Sequence, residues 1–262
     1  MKSNFILLTL IFQTFLAWGQ DHLGLYESAT FKNETGELNY RIMYPENFDA
    51  NMEYPVVLFL HGSGERGSDN QKQLVHGSKL FAHENTRSDY PAVVIFPQCP
   101  REDYWVNADV DRSSLPFGIL FKKENQPTKS MQLVIDLMDS IQSLNYSKDD
   151  QIYVGGLSMG GMGTFDILRF RPEMFAASFP ICGGADPDIT SQYNSNLNIW
   201  VFHGARDNVV LPGYSTDMVI AMRKAGIDTK YTLYKNANHN SWDSTFAEPG
   251  LLPWLFSKTL KP

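Results

Sequence analysis

The chain has 262 residues, a formal net charge of −7, and a composition that is 43% hydrophobic and 13% aromatic. This length and composition suit one large packed domain or two small ones, and no linker, repeat or low-complexity stretch divides the sequence. The negative charge argues against nucleic acid and anionic membrane surfaces as partners.

The first 19 residues are predicted to be a secretory signal peptide. Lys2 supplies the positive start, an apolar stretch covers residues 5–16, and Ala17-Trp18-Gly19 offers small residues at a cleavage site. The alternative is a membrane anchor, but the stretch is shorter than the roughly 20 residues that span a bilayer. We therefore expect a catalytic domain of residues 20–262, a periplasmic or secreted location, and no stable membrane insertion after cleavage.

The rest of the chain alternates strand and helix patterns. Residues 26–32 and 37–44 predict an antiparallel hairpin, and continuous apolar runs at 54–60 and 92–96 predict buried strands. Residues 130–144 carry apolar side chains at helical spacing.

The same alternation continues to the C-terminal end of the sequence. Further strands are predicted at 151–155, 175–182, 198–203 and 230–235, and helices at 212–225 and 251–260. This order predicts an α/β fold: a mainly parallel, doubly wound sheet with an antiparallel N-terminal hairpin. In such a sheet the working residues gather at the carboxyl ends of the strands.

One serine is the strongest candidate nucleophile. The segment Gly156-Leu157-Ser158-Met159-Gly160 separates a predicted strand from a predicted helix, and glycines two residues to either side relieve the crowding of a sharp turn. The motif alone is weak, since a glycine-rich turn with a bystander serine has the same letters. Its strand-turn-helix context predicts a nucleophile elbow.

A base and an acid follow this serine in the expected chain order. Serine needs a base, usually histidine, and that base needs a carboxylate to fix its tautomer. Asp207 and His239 each lie just past a predicted strand, so they can meet Ser158 at one edge of the sheet. Asp186 and Asp188 also follow a strand and rank below Asp207 as the acid.

An oxyanion hole is predicted from two backbone N–H groups. The first is that of Met159, the residue after the nucleophile. The second comes from the glycine-rich loop of residues 60–67, where Ser63 is preferred and Gly62 is the alternative.

No cofactor is indicated. The sequence shows no metal-ligand spacing, dinucleotide fingerprint or phosphate loop. Structural or solvated roles are expected for the remaining histidines: His203 as a structural residue, His61 as a residue that orders its loop, and His22, His76 and His83 as packing or solvated residues.

The combination of these motifs resembles a known family. The chain is similar to single-domain α/β-hydrolases described as predicted peptidases or esterases. The segments that carry this resemblance are Leu60-His61-Gly62-Ser63-Gly64-Glu65-Arg66-Gly67, Pro97-Gln98-Cys99-Pro100, the Ser158 motif, His203-Gly204-Ala205-Arg206-Asp207 and His239-Asn240-Ser241-Trp242. These are related to feruloyl esterases, polyhydroxybutyrate depolymerases and dienelactone hydrolases. The resemblance implies an α/β-hydrolase fold and hydrolysis of carboxylic esters.

The substrate pocket is predicted to use aromatic residues. Residues 101–128 show no clear element and would form a small cap or wall at the active edge. Trp105, Trp242 and Gln98 are the predicted substrate contacts, although packing of the tryptophans against the body is an equally good reading. Aromatic walls suit a phenolic acyl group or a sugar face.

These features predict a serine carboxylesterase that acts through an acyl-enzyme on a small-molecule or polysaccharide-linked ester. A small-peptide serine hydrolase and a non-catalytic binding protein are the alternatives. Cys99 and Cys182 are expected to be free thiols, because three inter-strand steps of about 4.8 Å would separate their strands and a disulfide needs Cα atoms within about 7 Å.

Overall fold

A computed structural model describes residues 22–260 of the chain. The predicted signal peptide, residues 1–19, lies outside this range. Across the described part, no helix combines the length and apolar character needed to cross a membrane.

Most of the strands belong to one mixed sheet. They are β1 (Glu27–Asn33), β2 (Gly36–Met43), β3 (Tyr54–Leu60), β4 (Val93–Pro97), β5 (Ala108–Asp111), β6 (Gly118–Phe121), β7 (Ser147–Leu157), β8 (Ala177–Ile181), β9 (Asn198–Gly204) and β10 (Asp228–Tyr234). The large sheet has the order β1-β2-β4-β3-β7-β8-β9-β10, and β5 and β6 form a separate two-stranded hairpin. Pairing is antiparallel from β1 to β4 and parallel from β4 to β10, as the alternating pattern predicted.

Helices cover both faces of this sheet. They are α1 (Ser78–Ala82), α2 (Glu84–Asp89), α3 (Lys129–Gln142), α4 (Met159–Phe170), α5 (Pro212–Lys224), α6 (Trp242–Phe246) and α7 (Leu251–Phe256). The longest, α3, begins where the Thr128 side chain accepts a hydrogen bond from the Met131 N–H, and α5 begins with a proline.

Side chains alternate along β3 between two cores. Val56 and Leu58 pack with apolar residues of α3, α4 and α5, whereas Val57 and Phe59 pack with residues of α1 and α7 on the opposite face. A strand that is buried on both faces needs a continuous apolar run, which is why β3 was readable from the sequence.

The two cysteines lie at the ends of strands that are not neighbours. Cys99 follows β4 and Cys182 follows β8, and β3 and β7 lie between those strands. Both thiols are buried and unpaired, as the expected strand order required.

The segment at 101–128 contains structure that the sequence pattern did not reveal. Its β5–β6 hairpin uses strands of only four residues. Strands this short carry too few alternating positions to give a recognisable period. The hairpin rests on the loop after β9, where the Phe117 N–H donates to the Val209 carbonyl over 3.0 Å.

Candidate active site

Ser158 occupies a strained turn between β7 and α4. Its φ is +54° and its ψ is −117°, a conformation that few non-glycine residues adopt. The glycines on either side are required by space: a Cβ on Gly156 would lie 2.4 Å from the Gly160 carbonyl oxygen, and one on Gly160 would lie 1.9 Å from the Leu60 carbonyl oxygen. The turn is therefore packed as the nucleophile-elbow motif predicted.

Ser158, His239 and Asp207 form one hydrogen-bonded chain. His239 Nε2 lies 3.0 Å from Ser158 Oγ, and His239 Nδ1 lies 2.7 Å from Asp207 Oδ2. An ionised carboxylate only accepts hydrogen bonds, so Nδ1 carries the proton and Nε2 is left to accept from the serine hydroxyl. This is the arrangement that a serine nucleophile and its histidine base require.

Asp207 is buried and receives hydrogen bonds on both oxygens. The Val209 and Val210 N–H groups donate to Oδ1, and His203 Nε2 lies 3.1 Å from Oδ2, beside His239. Burial raises the pKa of this carboxyl, but the hydrogen bonds from His203 and His239 outweigh burial and hold the pKa below its usual range. The acid therefore stays ionised where it faces His239.

His203 is a member of this cluster that the sequence assigned only a structural role. It is fully buried at the end of β9, and its other ring nitrogen, Nδ1, lies 2.8 Å from Ser215 Oγ on α5. The available signal was its spacing of four residues before Asp207 across a tight turn at a strand end.

The predicted oxyanion donors lie on two segments that touch each other. Met159 opens α4, so its N–H has no partner within the helix, and Ser63 opens a short 3₁₀ turn, Ser63–Glu65. Close packing of Leu60 on Gly160 brings the 60–67 loop against the start of α4. Among residues 22–260, neither N–H donates to a protein acceptor. Both donors therefore remain available to a substrate oxygen.

Trp242 lies beside the candidate base. Its half-buried ring meets the His239 ring edge-on, with centroids 5.5 Å apart, and also contacts His76 at 5.0 Å. Trp242, a predicted substrate contact, therefore lies next to the candidate base.

The prediction that Trp105 contacts substrate is wrong. Its side chain is completely buried, its ring packs against His61, and Nε1 donates to the His61 carbonyl over 3.0 Å. A side chain with no exposed surface has no face to offer a substrate.

Gln98 is also a structural residue instead of the predicted substrate contact. It is 2% exposed, and its amide oxygen accepts from the Asn70 N–H while its amide nitrogen donates to the Glu65 carbonyl and to Asp69. Its side-chain amide therefore ties residues 65–70 to the end of β4.

His61 orders the same loop, as expected. Its Nε2 accepts from the Cys99 N–H and its Nδ1 donates to the Gly62 carbonyl, so the ring is neutral with the proton on Nδ1. Burial lowers the pKa of His61 to about 4, which keeps this form at neutral pH.

Asp186 and Asp188, the lower-ranked candidates for the triad acid, instead form ion pairs with Lys123.

One group of side chains in the described range could supply three metal-ligating atoms, and the sequence spacing did not reveal it. Cys182, Asp207 and His239 bring one ligand atom each within 4.8 Å of the others. Two of these residues already bond to each other in the triad, and burial raises the pKa of the Cys182 thiol. A thiol must lose its proton to bind a metal, so this environment opposes that use.

Comparison with known proteins places this site in a family. The model of the dienelactone hydrolase family matches residues 93–244, a segment that includes Ser158, Asp207 and His239.

Individual proteins are also similar to this chain in sequence or structure. A solved thermostable esterase is 31% identical with a TM-score of 0.78, and the match covers 90% of this chain but 64% of that one. Lysophospholipase-like protein 1 of Mus musculus is 24% identical over 70% of this chain and 79% of its own length. A poly(3-hydroxybutyrate) depolymerase of Ralstonia pickettii is 25% identical over 67% of this chain and 34% of its own length.

Proposed function

The chain belongs to the dienelactone hydrolase family and has the α/β-hydrolase fold, and from that premise we propose that it is a serine carboxylesterase. The observation that carries the proposal is the continuous hydrogen-bonded chain from Ser158 through His239 to Asp207 at the carboxyl edge of the sheet. Similarity to a thermostable esterase and to a polyester depolymerase supports ester bonds as the target.

The mechanism proposed for this geometry has two halves. Ser158 Oγ attacks the ester carbonyl carbon while His239 Nε2 takes its proton, and the N–H groups of Met159 and Ser63 bind the oxyanion. His239 then protonates the departing alcohol, which leaves an acyl group on Ser158. Water attacks the carbonyl carbon of that acyl-enzyme with His239 again as the base. The bond from this carbon to Ser158 Oγ then breaks, His239 returns the proton to Oγ, and the carboxylic acid leaves, while Asp207 orients the imidazole throughout.

The proposed substrate is a carboxylic ester with a small or polysaccharide-linked alcohol. Trp242, half-buried beside His239, offers an aromatic face to a phenolic acyl group or a sugar ring. The proposed location is periplasmic or secreted, and it rests on the signal-like pattern of residues 1–19.

Labelling with a fluorophosphonate probe and assays of aryl esters test the proposal. The protein should be labelled at one serine and should hydrolyse 4-nitrophenyl acetate, and Ser158→Ala should abolish both while the thermal unfolding midpoint stays within a few degrees. Hydrolysis that survives in Ser158→Ala would overturn the nucleophile.

The alternatives have their own outcomes in the same experiments. A small-peptide hydrolase would be labelled at Ser158 but would cleave peptide anilides faster than aryl esters. A binding protein on this fold would give neither labelling nor turnover.

A further inference from the structure

A second imidazole binds the same carboxylate oxygen of the triad acid that His239 binds. His203, near the end of β9, is fully buried, and its Nε2 lies 3.1 Å from Asp207 Oδ2 and 2.9 Å from the Val210 carbonyl oxygen. Both partners are acceptors, so Nε2 must carry a proton and donate it. His203 is therefore a donor to the same oxygen that His239 uses.

The other side of the His203 ring is also fixed. Ser215 Oγ on α5 lies 2.8 Å from His203 Nδ1 and 2.8 Å from the Gly183 carbonyl oxygen, just after β8. A hydrogen-bonded path thus runs from the loop after β8 through Ser215, His203, Asp207 and His239 to Ser158. The triad is tied to α5 and to the β8 loop as well as to its own loops.

We propose that His203 is a positioning residue for the reaction of Ser158, a role that rests on the proposed esterase function. It fixes the plane of the Asp207 carboxylate so that Oδ2 faces His239 Nδ1. It also takes part of the negative charge on Oδ2, so the carboxylate holds the His239 proton less tightly than it would with one imidazole. Both effects act through Asp207, and His203 itself touches no substrate.

Among the hydrogen-bond partners of the His203 ring in the described residues, Asp207 is the one that carries a charge. The side chain that faces the ring from α5 is the uncharged Ser215, and the contact from the loop after β9 is the Val210 backbone carbonyl. His239 and the thiol of Cys182 also lie close to the Asp207 carboxylate, since one ligand atom of each of these three residues lies within 4.8 Å of the others. The charge that His203 shares is therefore the charge that His239 also feels.

The test compares two substitutions of similar size. His203→Gln keeps an N–H donor that can reach Asp207, and His203→Leu removes it. Loss of the hydrogen-bond partner behind a metal ligand typically costs about 10–100-fold in affinity or activity, and we take the same range for the partner behind Asp207. We expect His203→Leu to lower kcat for 4-nitrophenyl acetate by about that factor, with KM changed less than twofold, and His203→Gln to recover most of kcat.

The pH profile separates positioning from simple loss of stability. In His203→Leu the full charge of Oδ2 falls on His239, so the midpoint of the acidic limb of kcat should move to higher pH. Tyr193→Phe is the matched control, because it deletes a buried hydrogen bond to the Phe165 carbonyl on α4 without touching the triad. It should lower the unfolding temperature and leave that midpoint in place.

Two results would overturn the proposal. In the first, a folded His203→Leu variant has the wild-type kcat and midpoint. In the second, Tyr193→Phe shifts the midpoint as His203→Leu does. If His203→Leu does not fold, His203→Met takes its place, since it also lacks an N–H donor to Asp207 and should move the midpoint in the same direction; an unchanged midpoint would then count against the proposal. Failure of the esterase function itself is distinguishable, because the wild-type protein would then either show no fluorophosphonate labelling or cleave peptide anilides faster than aryl esters.

Discussion

The segment around Trp242 and the segment around Trp105 each contain a tryptophan near the same sheet edge, but the two tryptophans differ in exposure and in their contacts. Trp242 follows His239 by three residues, is half-buried, and touches the ring of the candidate base. Trp105 lies near the start of the 101–128 region, has no exposed surface, and donates a hydrogen bond to the backbone of the loop that follows β3. The first segment holds the candidate base, and the second packs behind the loop that follows β3.

The difference shows what a tryptophan in a long loop can mean. The Trp105 indole is surrounded by α4, by His61 and by the 60–67 loop, and a Cβ on Gly163 would lie only 2.6 Å from Trp105 Cβ. Substitutions in the two segments should therefore separate loss of chemistry from loss of stability.

The largest effect is expected in the reacting segment, from Asp207→Asn. The amide can still bond His239 but favours the wrong tautomer, so kcat should fall about 10⁴-fold as in other serine triads. Initial rates on 4-nitrophenyl acetate, with unfolding followed in urea, give both quantities. A loss below tenfold would mean that another carboxylate orients His239, and Asp188→Asn is the matched control.

Trp105→Ala should show the next largest effect, and it should be on stability. Removing a fully buried tryptophan costs about 3–5 kcal/mol in the free energy of unfolding, and here it also leaves the His61 carbonyl without its donor. Urea unfolding measures the loss. The ratio of kcat/KM for feruloyl and acetyl esters should be unchanged at temperatures where the variant is folded. A stable variant that selectively loses the feruloyl ester would return Trp105 to the substrate pocket.

The contrast also explains how far the sequence could go. Chain order, strand ends and the glycine pattern predicted that Ser158, Asp207 and His239 lie close together, because the carboxyl ends of parallel strands lie at one edge of the sheet. The burial of Trp105 could not be predicted from the sequence, since it depends on how the 101–128 segment folds back over β3 and α4. The burial of Gln98 could not be predicted either, because its amide is held by residues 65–70. The role of His203 was hidden for a related reason: its bond to Asp207 is local in sequence, but its partner Ser215 comes from a different element.

The free energy of unfolding should also depend on pH through His61, whose ring packs against Trp105. Burial lowers the pKa of His61 to about 4, whereas an unfolded histidine titrates near 6.5. Between those values the unfolded state binds the extra proton, so stability is lost as pH falls from about 6.5 to 4, by about 3 kcal/mol in total.

Urea unfolding of the wild type and of His61→Gln at pH 7 and pH 4.5 measures this contribution. The difference between the two proteins must be used, because burial raises the pKa of Asp166 to about 6 and that group changes stability in the opposite direction. The wild type should lose most of its advantage over His61→Gln at the lower pH. An advantage that does not change with pH would contradict a neutral, buried His61.

The smallest effect is expected from Trp242→Ala, and it should be selective. An aromatic contact is worth about 0.5–1.5 kcal/mol, so kcat/KM for a feruloyl ester should fall roughly two- to tenfold while that for an acetyl ester changes little. Trp242→Phe should keep most of the feruloyl activity. Trp254→Ala serves as the control, because Trp254 packs on Trp200 and, among residues 22–260, makes no ring contact with His239. If Trp242→Ala slows both esters by the same factor, its ring supports His239 instead of the substrate, and both tryptophan segments would then belong to the scaffold.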